Sequence, residues 1–106
     1  MGTADGADAV IERLKARIGK RLRVEALIWF GSRAAGGGDE WSDYDLVVVS
    51  PDFAGIPPIE RGRLLFPLRE RGVSYDFLCY TPEEFERLSS EITMVREVTR
   101  SGVRLI

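Results

Sequence analysis

Asp43 and Asp45 stand two residues apart at the start of the apolar run YDLVVV (residues 44–49), and a third carboxylate, Asp76, sits inside VSYDFLCY (residues 73–80). Strand side chains alternate between faces, so Asp43 and Asp45 point the same way while Tyr44 points opposite. Two anions side by side repel unless a cation or protons compensate. Magnesium suits such a pair: it is hard, prefers oxygen ligands, and often takes one or two carboxylates together with substrate phosphates. Asp76 lies between Tyr75 and Phe77 in an apolar strand, where a carboxylate is seldom placed without a reason. If its strand neighbours 44–49, three carboxylates can hold two metal ions ~3.5–4 Å apart, the clamp for in-line phosphoryl transfer.

Upstream, Gly31-Ser32-Arg33 follows directly on the apolar run VEALIWF (residues 24–30). Glycine permits a sharp turn and close approach of backbone N–H groups to a phosphate. Ser32 can donate to a phosphate oxygen and Arg33 can neutralise triphosphate charge. A helix starting after the turn would add a favourable dipole. Each piece alone has an ordinary explanation. Asp-x-Asp pairs cap solvated strand ends, Gly-Ser-Arg makes turns, and Asp76 can face solvent between two buried aromatics. The combination, in this order and with a strand before each piece, is far more specific.

The chain has no histidine. Serine or cysteine catalysis through imidazole, histidine general-base chemistry and histidine metal sites are therefore excluded. Catalysis must come from carboxylates, metal ions or a partner. The single cysteine, Cys79, rules out a disulfide within the chain and reads as a small buried hydrophobe. That cysteine usage makes the cytoplasm the expected location. Glycine motifs of other phosphate binders do not fit. There is no P-loop sequence, and in the triple glycine Gly36-Gly37-Gly38 Trp41 falls where a dinucleotide fingerprint needs its last glycine.

Positioning these groups requires a single small α/β domain over residues 1–106. The 44% hydrophobic and 30% charged composition is that of a globular chain. No apolar run approaches the ~20 residues of a membrane span. Residues 1–7 read as a flexible lead segment without signal-peptide character. The net charge of −2 argues against a general polyanion binder, so nucleic acid is not an expected partner. Arg13, Lys15, Arg17, Lys20, Arg21 and Arg23 form a local basic stretch, best read as a solvated helix face.

Val10, Leu14, Ile18 and Leu22 recur at helical spacing, which predicts a helix over about 8–22 that Asp5 or Asp8 can cap. Strands are predicted at 24–30, 44–49 and 73–80. GSRAAGGGDEWS reads as a loop, or a loop plus a short helix, and SPDFAGIPP as a turn-rich connection. A helix is predicted over 58–71, with Pro67 able to kink it. Thr81, Pro82 and Glu84 spell a capping box for a helix or helix pair running to about Arg100, ended by Gly102, with VRLI as a short last strand.

Gly31-Ser32, then Asp43-Tyr44-Asp45-Leu46, then Tyr75-Asp76-Phe77 resembles the DNA polymerase beta nucleotidyltransferase superfamily. The fuller run FGSRA…SDYDL is similar to the minimal nucleotidyltransferases of prokaryotes, often encoded beside helical HEPN-domain proteins and acting as their antitoxins. The resemblance covers about residues 10 to 106. It implies a mixed β-sheet flanked by helices, in the palm-like nucleotidyltransferase fold. It implies metal ligation (Mg2+ or Mn2+) by Asp43, Asp45 and Asp76, and nucleotide contact by Gly31, Ser32 and Arg33. It further implies transfer of a nucleoside monophosphate, AMP from ATP in the first instance. The implied acceptor is a hydroxyl such as a tyrosine on a HEPN-type partner, because these residues leave no room for an acceptor-binding domain. Many relatives continue the turn as Arg-Ala-Arg-Gly, whereas here Arg33-Ala34-Ala35-Gly36 lacks the second arginine. Two rivals stay open: an antitoxin or binding module acting by contact alone, and transfer to a small molecule such as an aminoglycoside. Base preference, acceptor and any oligomer are left open by the sequence.

Overall fold

The computed structural model describes residues 5–34, 36, 43–91 and 93–106. The described elements run α1 (Asp5–Arg21), β1 (Ala26–Phe30), α2 (Gly31–Ala34), β2 (Tyr44–Val49), α3 (Pro58–Leu65), β3 (Tyr75–Tyr80), α4 (Pro82–Ser89), α5 (Met94–Ser101) and β4 (Val103–Arg104). The strands make one mixed sheet in the order β3-β2-β1-β4. β1 is antiparallel to β2 and to β4, whereas β2 and β3 are parallel. The expected mixed sheet flanked by helices is the observed architecture.

Alternation along the strands builds two apolar layers. Leu27, Trp29, Tyr44, Leu46 and Val48 face one side, where Val10, Ile11, Leu14 and Ile18 of α1 cover them together with Phe53 and Leu65. Ala26, Ile28, Val47 and Val49 face the other side, against Val98 of α5 and Phe85 of α4. Because helices cover both faces, β2 is apolar almost throughout rather than alternating. The one break in that run is Asp45, half-buried among buried neighbours.

Several boundaries differ from the sequence reading for local reasons. α1 begins at Asp5, so Asp8 lies inside the helix instead of capping it. Of the expected flexible segment, residues 1–4 lie outside the described residues. β1 starts at Ala26 and β3 at Tyr75, each two residues late. The helix expected over 58–71 stops at Leu65 and tightens into a 3-10 turn over Phe66–Leu68. Pro67 has no N–H to continue the α-helical ladder, so the kink becomes an end. The capping box forms as read: Thr81 Oγ1 accepts from the Glu84 N–H, and the Glu84 carboxylate accepts from the Thr81 N–H. Gly102 ends α5 where a Cβ would strike Ile28 and the Val98 carbonyl, so the close approach of α5 to β1 requires glycine.

The basic stretch of α1 is partly structural. Arg13 makes a two-pronged bond to Glu70 (Nε–Oε1 2.8 Å, Nη2–Oε2 2.9 Å), and Arg17 donates to the Leu68 carbonyl at 3.4 Å. These tie α1 to the turn after α3. Lys20, Arg21 and Arg23 are exposed, as expected for a solvated face. Among the described residues no helix is long and apolar enough to cross a membrane.

Candidate active site

The register of the sheet sets the acids. Phe30 at the end of β1 is opposite Asp45 near the start of β2, and Asp45 is opposite Asp76 on β3. The three side chains therefore stand in a row on one face, with adjacent strands about 4.8 Å apart. Asp43 precedes β2 by one residue and shares the parity of Asp45. Asp43 and Asp76 are exposed and Asp45 is half-buried.

Asp45 feels both burial and its acidic neighbours. Burial pushes the Asp45 carboxyl above its ordinary value, and the negative charges of Asp76 and then Asp43 push it further. For a carboxyl raised in the folded state, protonation favours folding. Its contribution is neutral below the unfolded value and becomes a penalty as pH rises through the folded value. At neutral pH the ligand-free fold carries that penalty.

The turn after β1 passes directly over Asp45. Gly31 opens α2, a single helical turn, with φ of +87°. A Cβ there would fall inside the Asp45 carboxylate. Two demands thus coincide at one glycine: a left-handed backbone and room for a carboxylate. The side chains of Ser32 and Arg33 lie outside the described part of the structure. So do residues 35 and 37–42 between α2 and β2, which include Gly37 and Gly38 of the triple glycine.

Among the described residues, no three carboxylates are gathered closely enough to enclose an ion as their side chains stand. The donor chemistry nevertheless fits a hard divalent cation. All the donors are carboxylate oxygens, one is already burdened by its neighbours' charge, and the missing side chain at Gly31 makes room for that carboxylate. A concavity of about 480 Å3 lies at the opposite end of the same face, lined by Ala26, Val49, Phe85 and Thr99. It holds no comparable row of carboxylates, so the acid row is the better candidate.

The family model for the nucleotidyltransferase domain matches residues 10–104. The chain belongs to this family. Nucleotidyltransferase domains transfer nucleotidyl groups from nucleoside triphosphates and generally use divalent metals. In fold, this nucleotidyltransferase is similar to a proposed nucleotidyltransferase from Sulfolobus solfataricus, with a TM-score of 0.54 and 24% identity over 81% of this chain and 85% of that one. It is also similar to BolA1 from Arabidopsis thaliana (TM-score 0.57, 22% identity, 69% of this chain and 92% of that one). The BolA domain of SufE1 from the same plant gives a TM-score of 0.56 at 24% identity, over 76% of this chain and 98% of that one. At these identities the likeness is one of fold, and a fold shared with BolA proteins does not by itself carry an activity. No curated protein matches the chain.

One buried ion pair escaped the sequence reading. Arg61 of α3 is only 4% exposed. Its guanidinium donates to the Ile56 carbonyl (2.9 Å), the Cys79 carbonyl (3.1 Å) and both oxygens of Glu84 (2.5 and 3.1 Å). It thereby ties α3 to β3 and to the start of α4. In sequence, an arginine on a helix with Glu60 and Arg63 nearby reads as solvated, and only the distant Glu84 reveals the pairing. Burial pushes the Cys79 thiol up to about 12, in keeping with an inert core cysteine.

Proposed function

We propose that this nucleotidyltransferase moves a nucleoside monophosphate, AMP from ATP in the first instance, to a hydroxyl on a partner protein. The reading assigns Asp43, Asp45 and Asp76 to Mg2+ or Mn2+, and Gly31, Ser32 and Arg33 to the triphosphate. The observation that carries it is the register of Asp45 with Asp76 beneath the Gly31 turn, in a chain of this family. A divalent metal, when bound, neutralises the acids and polarises the α-phosphoryl group.

The chain's own residues supply the rest. The Gly31 turn and the Ser32 hydroxyl bind the triphosphate, and Arg33 balances its charge. Asp76, on the outer strand, accepts the proton of the incoming hydroxyl. The acceptor oxygen bonds to the α-phosphorus, the α–β anhydride bond breaks, and pyrophosphate leaves. In the cell the acceptor would be a helical HEPN-type toxin, and its modification would make this protein the antitoxin.

The test is mass spectrometry of the neighbouring gene's product after incubation with this protein, magnesium and each ribonucleoside triphosphate in turn. A gain of one nucleotide that disappears in Asp43→Asn and Asp45→Asn is expected. Tight binding of the two proteins with no nucleotide on either would overturn transfer in favour of contact alone.

Two further results are expected. Asp45→Asn should raise the melting temperature of the metal-free protein at neutral pH, since it removes the charge that the fold penalises. It should also shrink the gain on adding metal, which for the native chain reaches roughly 2.7 kcal/mol at ~100 Kd. A native melting curve unmoved by millimolar metal, with or without nucleotide, would count against metal binding. Ser32→Ala should weaken nucleotide binding by about 1–3 kcal/mol, the scale of a hydrogen bond to a charged group. Calorimetry showing unchanged affinity and lost stability would make Ser32 a turn residue only.

A further inference from the structure

We propose that the acceptor polypeptide docks as an added strand on the outer edge of β3, which sets its hydroxyl residue beside Asp76. This deepens the protein-acceptor reading and rests on it.

β3 ends the strand order, so among the described residues one of its edges has no neighbouring strand. The phase of its backbone is fixed by two bonds. The Tyr44 N–H donates to the Ser74 carbonyl (2.9 Å) and the Ser50 N–H to the Tyr80 carbonyl (3.0 Å). In a parallel ladder of that phase, residues 74, 76, 78 and 80 turn their backbone groups towards β2. Tyr75, Phe77 and Cys79 therefore turn theirs outward.

The edge is guarded at one end only. Arg61 occupies the outward carbonyl of Cys79. Among the described residues, no hydrogen bond reaches the outward backbone groups of Tyr75 and Phe77. Proteins usually blunt an exposed edge along its length. Here the guarded part is the one far from the acids, and the open part flanks Asp76.

Pairing geometry says what would fit. An added strand lies about 4.8 Å further out and keeps the alternation of faces. The residue opposite Asp76 then projects from the same face as Asp76 and Asp45 and extends their row. Its two neighbours project from the other face, beside the stacked rings of Tyr75 and Phe77 (centroids 5.5 Å apart, planes 9° apart). The surface thus suits an extended segment in which a hydroxyl residue lies between two apolar ones.

A second copy of this chain suits it poorly. Two β3 edges pairing antiparallel through residues 75 and 77 would set Asp76 directly opposite Asp76, and like charges placed so repel. A neutral serine, threonine or tyrosine meets no such opposition. In transfer, that hydroxyl gives its proton to Asp76, its oxygen bonds to the α-phosphorus of the nucleoside triphosphate, and pyrophosphate departs.

The experiment uses ATP, magnesium and short synthetic peptides with serine, threonine or tyrosine between two valines. Phe77→Pro removes one outward N–H and leaves the bonds to β2 intact, since residues 76 and 78 make them. Phe77→Leu keeps the N–H and is the reference. Transfer to peptide is expected to be about tenfold slower in Phe77→Pro than in Phe77→Leu, the effect of one lost strand bond. Equal rates would overturn edge docking and leave nucleotidyl transfer standing.

Should the proline variant not fold, hydrogen exchange on the native chain decides. Added peptide should protect the Tyr75 and Phe77 amides, and unchanged exchange there would overturn the proposal. A native chain that labels no peptide also overturns it. Whether the parent reading falls too is then read separately from the neighbouring gene's product.

Discussion

Gly31→Ala is expected to reduce nucleotidyl transfer by about a hundredfold or more while most of the fold survives. Two separate costs meet at this residue. With φ at +87°, any side chain incurs the left-handed penalty of roughly 1–2 kcal/mol. The new Cβ must also displace the Asp45 carboxylate, since it would overlap Oδ2. A reacting group moved by ~1 Å can lose 10²-fold in rate. Gly72 separates the two costs. It has φ of +81° and nothing within 4 Å of where a Cβ would stand. Gly72→Ala should lose a similar backbone increment of stability with transfer intact. A double-mutant cycle of Gly31→Ala with Asp45→Ala sharpens the test, because the clash vanishes when the carboxylate does. Part of the stability should then return without the activity. If Gly31→Ala costs no more stability than Gly72→Ala and transfers normally, the turn does not position Asp45.

These expectations depend on parts of the protein that differ in how far sequence reveals them. Local signals were fully legible. The run YDLVVV is β2 residue for residue, and Thr81-Pro82-Glu83-Glu84 forms the box its letters spell. Periodicity places α1 but not its start, because small residues such as Gly6 and Ala7 carry no periodic apolar signal. The 58–71 segment misled because its apolar residues keep helical spacing past Pro67, while the backbone cannot continue. Pairing of strands lay beyond local signals. The row of Asp45 and Asp76 existed in the sequence only as a condition, that β3 lie beside β2, and the parallel register meets it. The exposure of Asp76 follows from the edge position of β3, which no residue near it encodes. The same non-local character hid Arg61, whose partners Ile56, Cys79 and Glu84 come from three different segments.

Removing the Arg61 guanidinium should be the most destabilising single change in the molecule away from the apolar core. Arg61→Met keeps an apolar stem but discards four hydrogen bonds, from Arg61 to Ile56, Cys79 and the two oxygens of Glu84. Breaking a buried pair costs about 3–5 kcal/mol. The lower end is expected, because the Glu84 side chain is 28% exposed and its orphaned carboxylate can reach water. The acid limb of the stability curve should change too. The hydrogen bonds from Arg61, then from the Thr81 N–H, hold the Glu84 carboxyl down at about 2, against 4.5 without them. A carboxyl lowered in the folded state stabilises above its unfolded value, and that contribution disappears as pH falls through the folded one. The native chain should therefore lose roughly 2 kcal/mol between pH 4.5 and about 2 on account of Glu84, discounted for its partial exposure. Arg61→Met should flatten this limb, leaving the smaller share due to Thr81, and Glu84→Gln should abolish it. Urea midpoints measured across that pH range give the comparison. Parallel acid limbs in the native chain and Arg61→Met would show that the pair is not what holds Glu84 down. The same substitution frees the outward carbonyl of Cys79, lengthening the open edge of β3 by one position. Since a longer bare edge invites strand pairing, Arg61→Met should self-associate in sedimentation where the native chain does not.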